Sequence, residues 1–387
     1  MSEFRKIPCV IQRGGTSKGI YIHESDLPED PEIRDRVILS IFGSPDKRQI
    51  DGLGGADPLT SKVAIISKSD REDADVNYTF GAVDLNEPII DYRGNCGNLS
   101  SGVGPFAIDE GLVEAEHSET IVRIYNTNTK KILKAYVPTI AGKAKCLGDF
   151  SIDGVPGTGA KIMLDYANTA GAVTGKLLPT GNCIDSVSMP DIGEFEMTIV
   201  DAANPVCFIK STVFDLSGIE GPYDKTILDL LDKIELIRGT AAKMIGLVDD
   251  ATEARIKTPS IPLLAIVSEP KDYHSFTTNN LIKAENINFV SRVFYMQEMH
   301  KTYSATAAVC TSTAALIEGS IVNQVCLKRS QNTNDIRIGH PGGVIKVDVE
   351  LENESENIIL KRAAMGRTSR RILDGYVYVP EYLFGGK

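Results

Sequence analysis

Cys96 and Lys62 are the residues of this 387-residue sequence whose type and setting best fit proton chemistry. Cys96 lies in Asp91-Tyr92-Arg93-Gly94-Asn95-Cys96-Gly97-Asn98-Leu99-Ser100-Ser101-Gly102, where a strand end gives way to a helix of small residues. A helix N-terminus offers unpaired N–H groups and the positive end of a dipole, and both favour a thiolate or a bound anion. The flanking glycines leave room for a ligand beside the backbone, which a cysteine that only packs does not need. Lys62 follows Thr60-Ser61 and opens the apolar run Val63-Ala64-Ile65-Ile66. An amine desolvated at the mouth of a strand becomes a general base, although most lysines at strand ends are solvated charges.

Other stretches have the composition of ligand holders. Arg13-Gly14-Gly15-Thr16-Ser17-Lys18-Gly19 joins glycines to hydroxyls between the strands Ile7–Gln12 and Ile20–Ile22, so it reads either as a carboxylate cradle or as a glycine-rich hairpin. It lacks the GxxxxGK[ST] spacing of a nucleotide-binding loop. In the second half, His300, Lys301 and the loop Gly339-His340-Pro341-Gly342-Gly343 read as substrate holders, with structural histidines as the alternative.

The elements that must carry these residues occur twice. The order strand and loop, amphipathic helix (Pro31–Phe42), apolar strand (Val63–Ser67), strand (Val76–Val83) and small-residue helix (Asn98 to Glu110) comes first. It returns as Ile199–Ile209, Tyr223–Ile245, Leu263–Ser268, Asn288–Met296 and Ser304–Glu318. A helix of Ala, Ser, Thr and Gly lets strands approach from every side, so each half is expected to be a sheet curled around one central helix. Aligning the halves puts Leu263 opposite Lys62 and Thr302 opposite Cys96, which leaves both proton carriers in the first half. The two helix N-termini are then expected to face a shared cleft suited to a dianion. Gly175-Lys176-Leu177-Leu178-Pro179-Thr180-Gly181-Asn182 reads as the connector, giving domains 1–182 and 183–387, with the C-terminal strand able to return to the first. The fold class is α+β.

Composition narrows the function. A net charge of −11 disfavours nucleic acid and anionic membranes as partners. No apolar run approaches the roughly 18 residues of a membrane span, and the N-terminus lacks a signal peptide's apolar core. Seven cysteines without CxxC spacing fit a reducing cytoplasm better than a disulfide framework or a zinc site. Five histidines, none in an HxH or HxxxH pair, argue against metal catalysis.

The sequence resembles the PrpF family of the diaminopimelate-epimerase-like fold nearly end to end. The likeness rests on Arg13-Gly14-Gly15-Thr16-Ser17-Lys18-Gly19, Gly43-Ser44-Pro45-Asp46, Gln49-Ile50-Asp51-Gly52, Thr60-Ser61-Lys62, Asn95-Cys96-Gly97-Asn98, Asn204-Pro205, His300-Lys301, Gly339-His340-Pro341 and Arg367-Thr368-Ser369-Arg370-Arg371. Within the family it is most similar to the 3-methylitaconate Δ-isomerase branch, whose catalytic lysine and cysteine fall on Lys62 and Cys96. The resemblance implies two pseudo-duplicated domains, each a curved, mostly antiparallel, barrel-like sheet around a helix. It also implies a cofactor-independent isomerase that shifts a proton across an allylic system of a small unsaturated di- or tricarboxylate. The conversion expected is 3-methylitaconate to 2,3-dimethylmaleate, with 2-methylaconitate or 4-oxalomesaconate as alternative substrates. Thr16, Ser17, Ser61, Asn95, Gly97 and Asn98 are the implied substrate contacts of the first domain. Those of the second are Asn204, His300, Lys301, Ser304, His340, Gly342 and Gly343. A racemase would need a second thiol, and an accessory protein to an aconitase-like partner would not need the Lys62 and Cys96 pair. A homo-oligomer is compatible with the sequence. Ala307 stands where members commonly carry glycine, and Gly342 where serine or alanine is usual.

Overall fold

In the computed structural model, residues 3–327, 334–354 and 357–385 are described. The chain divides into two compact units. One comprises residues 1–151, 157–164 and 367–387, and the other residues 152–156 and 165–366.

The first unit begins with a hairpin, Phe4–Gly14 and Ser17–His23, closed by the two residues Gly15 and Thr16. The stretch Arg13–Gly19 is therefore mostly strand, the glycine-rich hairpin of the two readings its sequence allows. Gly15 has a positive φ of 51°, and a side chain there would run into Asn98. The second hairpin strand pairs in parallel with Lys62–Lys68, which pairs antiparallel with Val76–Val83. Glu119–Asn126 and Lys131–Ile140 extend the sheet. Ser369–Pro380 returns to pair antiparallel with the first strand.

Helix Pro31–Phe42 covers one face of this sheet. Asp30 caps it by accepting the N–H groups of Glu32 and Ile33, and Gly43 ends it at φ 69°. Its Val37, Ile38, Ile41 and Phe42 pack on Ile7, Ile20, Ile22, Val63 and Ile65. Helix Gly97–Asp109 packs against the sheet with every residue from Gly97 to Ile108 buried. Its small residues are what permit this: a Cβ at Gly102 would strike the Tyr21 hydroxyl, and one at Gly104 would lie 2.7 Å from Val137.

The second unit repeats the plan. Gly193–Ala202 and Asn204–Lys210 form the hairpin, turning at Ala203 with φ 65°. Leu263–Ser268 pairs in parallel with the second of these strands and antiparallel with Phe289–Tyr295. Helix Lys225–Met244 buries Ile227, Ile234, Ile237 and Ala241 against Met197, Ile199, Ile209, Leu264 and Phe294. Helix Ala305–Leu316 is the central one, buried from Ala305 to Ala315. Asp335–His340 and Gly343–Glu354 form a further hairpin.

The division differs from a cut after residue 182. Residues 165–182 belong with the second unit, because Val173 and Thr174 donate their N–H groups to Asp201 and Asp201 donates its own to Leu177. A connector that satisfies a buried carboxylate is part of the unit it satisfies. Among the described residues no helix is long and apolar enough to cross a membrane.

Candidate active site

In the first unit the structure gathers Ser17, Lys62 and Cys96. Lys62 opens its strand between the hairpin and Val76–Val83, with Ala82 as its antiparallel neighbour. Gly19 makes this possible, since a Cβ there would stand 2.6 Å from the Lys62 carbonyl and 2.8 Å from Leu99. The Lys62 side chain is only 3% exposed, so it is not the solvated strand-end charge that its position in the sequence also allows. Its Nζ lies 3.4 Å from Cys96 Sγ and 3.2 Å from Ser17 Oγ. Cys96 is 6% exposed, with Ser17 Oγ 3.9 Å from its sulfur.

Cys96 is itself the N-cap of the central helix, accepting the Leu99 N–H on Sγ at 3.4 Å. Cysteine is an unusual choice where Ser, Thr, Asp or Asn ordinarily cap. The sulfur thus meets a backbone N–H at the positive end of a buried helix and an amine from the adjacent strand.

The remaining first-unit candidates surround this trio in two ways. Asn98 donates from Nδ2 to Thr16 Oγ1 at 3.0 Å, which ties the hairpin turn to the first turn of the helix. Gly97 and Asn98 are the first two helical residues, in the first turn that Cys96 caps. Ser61 and Asn95 are bracing groups. Ser61 donates to the Val83 carbonyl and accepts from Gln49 Nε2 at 2.7 Å, while Asn95 Oδ1 accepts from Ser100 and from Asn126, both at 3.3 Å. Asn126 went unnoticed in the sequence and Gln49 stood out only as part of Gln49-Ile50-Asp51-Gly52, because each acts through a side-chain bond to a residue distant in the chain. Tyr21 is a third, its hydroxyl donating to the Leu99 carbonyl at 2.5 Å.

In the second unit the N-cap of the central helix is Ser304, whose Oγ accepts the Ala307 N–H at 3.4 Å. The counterpart of Cys96 is therefore Ser304, and the expected match to Thr302 is off by two residues. Helix starts are fixed by caps, and composition alone placed this one too loosely. The counterpart of Lys62 is Leu263, which opens the equivalent strand and is buried. Thr306 Oγ1 joins Ser304 Oγ at 2.9 Å and Asn204 Nδ2 at 3.2 Å, so Asn204 and Ser304 come together.

His300 and His340 share a geometry. Thr302 N–H donates to Nδ1 of His300, and Gly342 N–H donates to Nδ1 of His340, each at 3.1 Å. A ring nitrogen that accepts carries no hydrogen, so each neutral imidazole holds its proton on Nε2. Both rings are buried. A Cβ on Gly342 would lie 2.8 Å from Thr302 Cγ2 and 3.3 Å from His340 Cε1, which accounts for glycine at that position. Gly343, at φ 141°, makes way for Asp153, whose carboxylate accepts the Val344 N–H at 2.6 Å. Lys301 places its ammonium 5.6 Å from the centre of the exposed Tyr223 ring.

The whole chain from residue 4 to residue 380 matches the PrpF protein family. It belongs to the PrpF family. This PrpF-family chain is 51% identical over 380 residues to the 3-methylitaconate isomerase of Eubacterium barkeri, covering 98% of both chains. It is 38% identical over 383 residues to the 4-oxalomesaconate tautomerase of Pseudomonas putida, again covering 98% of each. Among solved structures it is similar to methylitaconate-delta-isomerase, with a TM-score of 0.79 at 49% identity, covering 100% of this chain and 98% of that one. The chain is an isomerase with the α+β, epimerase-like architecture of these relatives.

Proposed function

We propose that this isomerase converts 3-methylitaconate to 2,3-dimethylmaleate, with Lys62 and Cys96 as its proton carriers. The observation that supports this reading is the buried 3.4 Å contact between Lys62 Nζ and Cys96 Sγ at a helix N-terminus. The similarity to a 3-methylitaconate isomerase over 98% of the chain names the substrate class.

The chemistry balances without a co-reactant. The C–H bond that breaks is on the methyl-bearing carbon, which is both alpha to a carboxylate and allylic to the methylene group. Its electron pair spreads into a dienolate, and a proton then adds to the methylene carbon, which becomes a methyl group. One C–H bond is lost, one is gained, and the double bond ends between the two substituted carbons.

Lys62 as a neutral amine takes the proton and the Cys96 thiol returns one, after which the 3.4 Å separation lets a proton pass between nitrogen and sulfur to reset the pair. Negative charge building on the dienolate needs donors already in place, and the first-turn N–H groups of Gly97 and Asn98 with the Thr16 and Ser17 hydroxyls are our assignment. Asn204, Ser304 and His340 are assigned to binding, since neither an amine nor a thiol stands at the matching positions of their unit.

Proton NMR of 3-methylitaconate with the purified protein in D₂O tests this. The expected result is appearance of the dimethylmaleate signals with deuterium in the newly formed methyl group. Turnover of another unsaturated carboxylate but not of methylitaconate would overturn the substrate assignment and leave the chemistry standing.

A further inference from the structure

The turn Gly339–Gly343 is glycine-rich, and the structure explains why without a ligand. Each of three glycines admits a side chain from elsewhere in the same unit. Gly342 makes way for Thr302 and Gly343 for Asp153, while a Cβ on Gly339 would crowd the Tyr273 hydroxyl at 3.1 Å and Ile287 at 2.7 Å. The segment Tyr273–Thr277 then takes up every carbonyl of the turn from His340 to Gly343. The Tyr273 hydroxyl lies 2.8 Å from the His340 carbonyl oxygen and 2.7 Å from that of Gly343, which share its single hydrogen. Phe276 N–H donates to the Pro341 carbonyl at 2.7 Å. Ser275 and Thr277 hydroxyls donate to the Gly342 carbonyl at 3.0 and 3.2 Å.

We infer that Tyr273 and Ser275 are positioning residues that aim the His340 imidazole, through the turn carbonyls they hold. The connection is short. Gly342 supplies the N–H that His340 Nδ1 accepts, and the Gly342 carbonyl is the one Ser275 and Thr277 grip. Fixing that residue from both sides fixes which ring nitrogen carries the hydrogen and where it points. Tyr273 is anchored in turn: it is buried, with the buried Arg292 guanidinium 5.0 Å from its ring centre. Arg292 is itself held by the Glu220 carbonyl at 2.7 Å.

The inference rests on the assignment of His340 to substrate binding, and a double-mutant cycle separates the two. Tyr273→Phe and Ser275→Ala are each expected to raise KM for methylitaconate roughly five- to tenfold, the loss of one aimed hydrogen bond, with kcat within about twofold. Ser275→Thr, which keeps the hydroxyl, should restore KM. In a His340→Ala background neither substitution should raise KM further. Ser275→Ala serves where Tyr273→Phe melts below the assay temperature. Unchanged KM in both single variants while His340→Ala raises it, or full additivity with His340→Ala, overturns the positioning role alone. Unchanged KM in His340→Ala overturns the binding assignment and the inference with it.

Discussion

The N-termini of the two central helices are built alike and equipped differently. Each caps itself with a side chain that accepts the N–H three residues on, and each is buried along nearly its full length. At Gly97–Asp109 the cap is a thiol with a lysine nitrogen 3.4 Å away. At Ala305–Leu316 it is a hydroxyl joined to Thr306, which Asn204 also reaches. One end holds two groups that can exchange a proton, and the other holds groups that can only donate and accept hydrogen bonds. A duplicated frame thus supplies two anion-favouring helix ends, and on our assignment the identity of two side chains decides where a proton moves.

The strongest way to break this comparison is to remove the amine. Lys62→Ala should lower kcat by roughly a thousandfold or more, within the range expected for a proton-transfer group. Binding of the product by calorimetry should stay measurable. Near-normal turnover would mean that the amine is structural.

Cys96→Ser turns the first helix end into a likeness of the second. A fall in kcat of roughly a hundredfold is expected, with a melting temperature equal to or above that of the parent because serine is the better cap. A large loss of stability would show that the sulfur is held there for packing.

Ser304→Ala sharpens the comparison from the other side. It should cost about 1 kcal/mol of stability through the lost cap and raise KM severalfold with kcat little changed. A kcat loss matching that of Cys96→Ser would move proton transfer into the second unit.

The smallest effect separates reactive from packing thiols. Burial pushes the Cys207 thiol from its ordinary 9.0 up to about 12, and it raises Cys310, inside the second central helix, in the same direction. Neither should label with iodoacetamide in the folded protein at pH 8, whereas Cys96 should label and be protected by substrate. A thiol whose folded value is raised stabilises fully below the unfolded value and loses that contribution as pH climbs through the folded one. Stability of the second unit should therefore decline between about pH 9 and 12, and Cys207→Ala should flatten that decline in a pH series of denaturant melts. Rapid labelling of Cys310 in the native state would contradict its burial.

The sequence by itself determined the duplication, the outer helix Pro31–Phe42 and the small-residue helices that a sheet can enclose. Those follow from periodicity and residue size, which are local properties. It also marked Cys96 and Lys62, since a cysteine between Asn95 and Gly97 and a lysine leading an apolar strand are out of place in simple packing. Tertiary structure decided the rest. It alone put Lys62 beside a thiol 34 positions later and made Ser304 rather than Thr302 the second cap. It also turned the glycines of the 339–343 turn into openings for Tyr273, Thr302 and Asp153. Composition marks where backbone is unencumbered, but which side chain enters that space depends on strands brought together by burial of the core, and no local pattern encodes that choice.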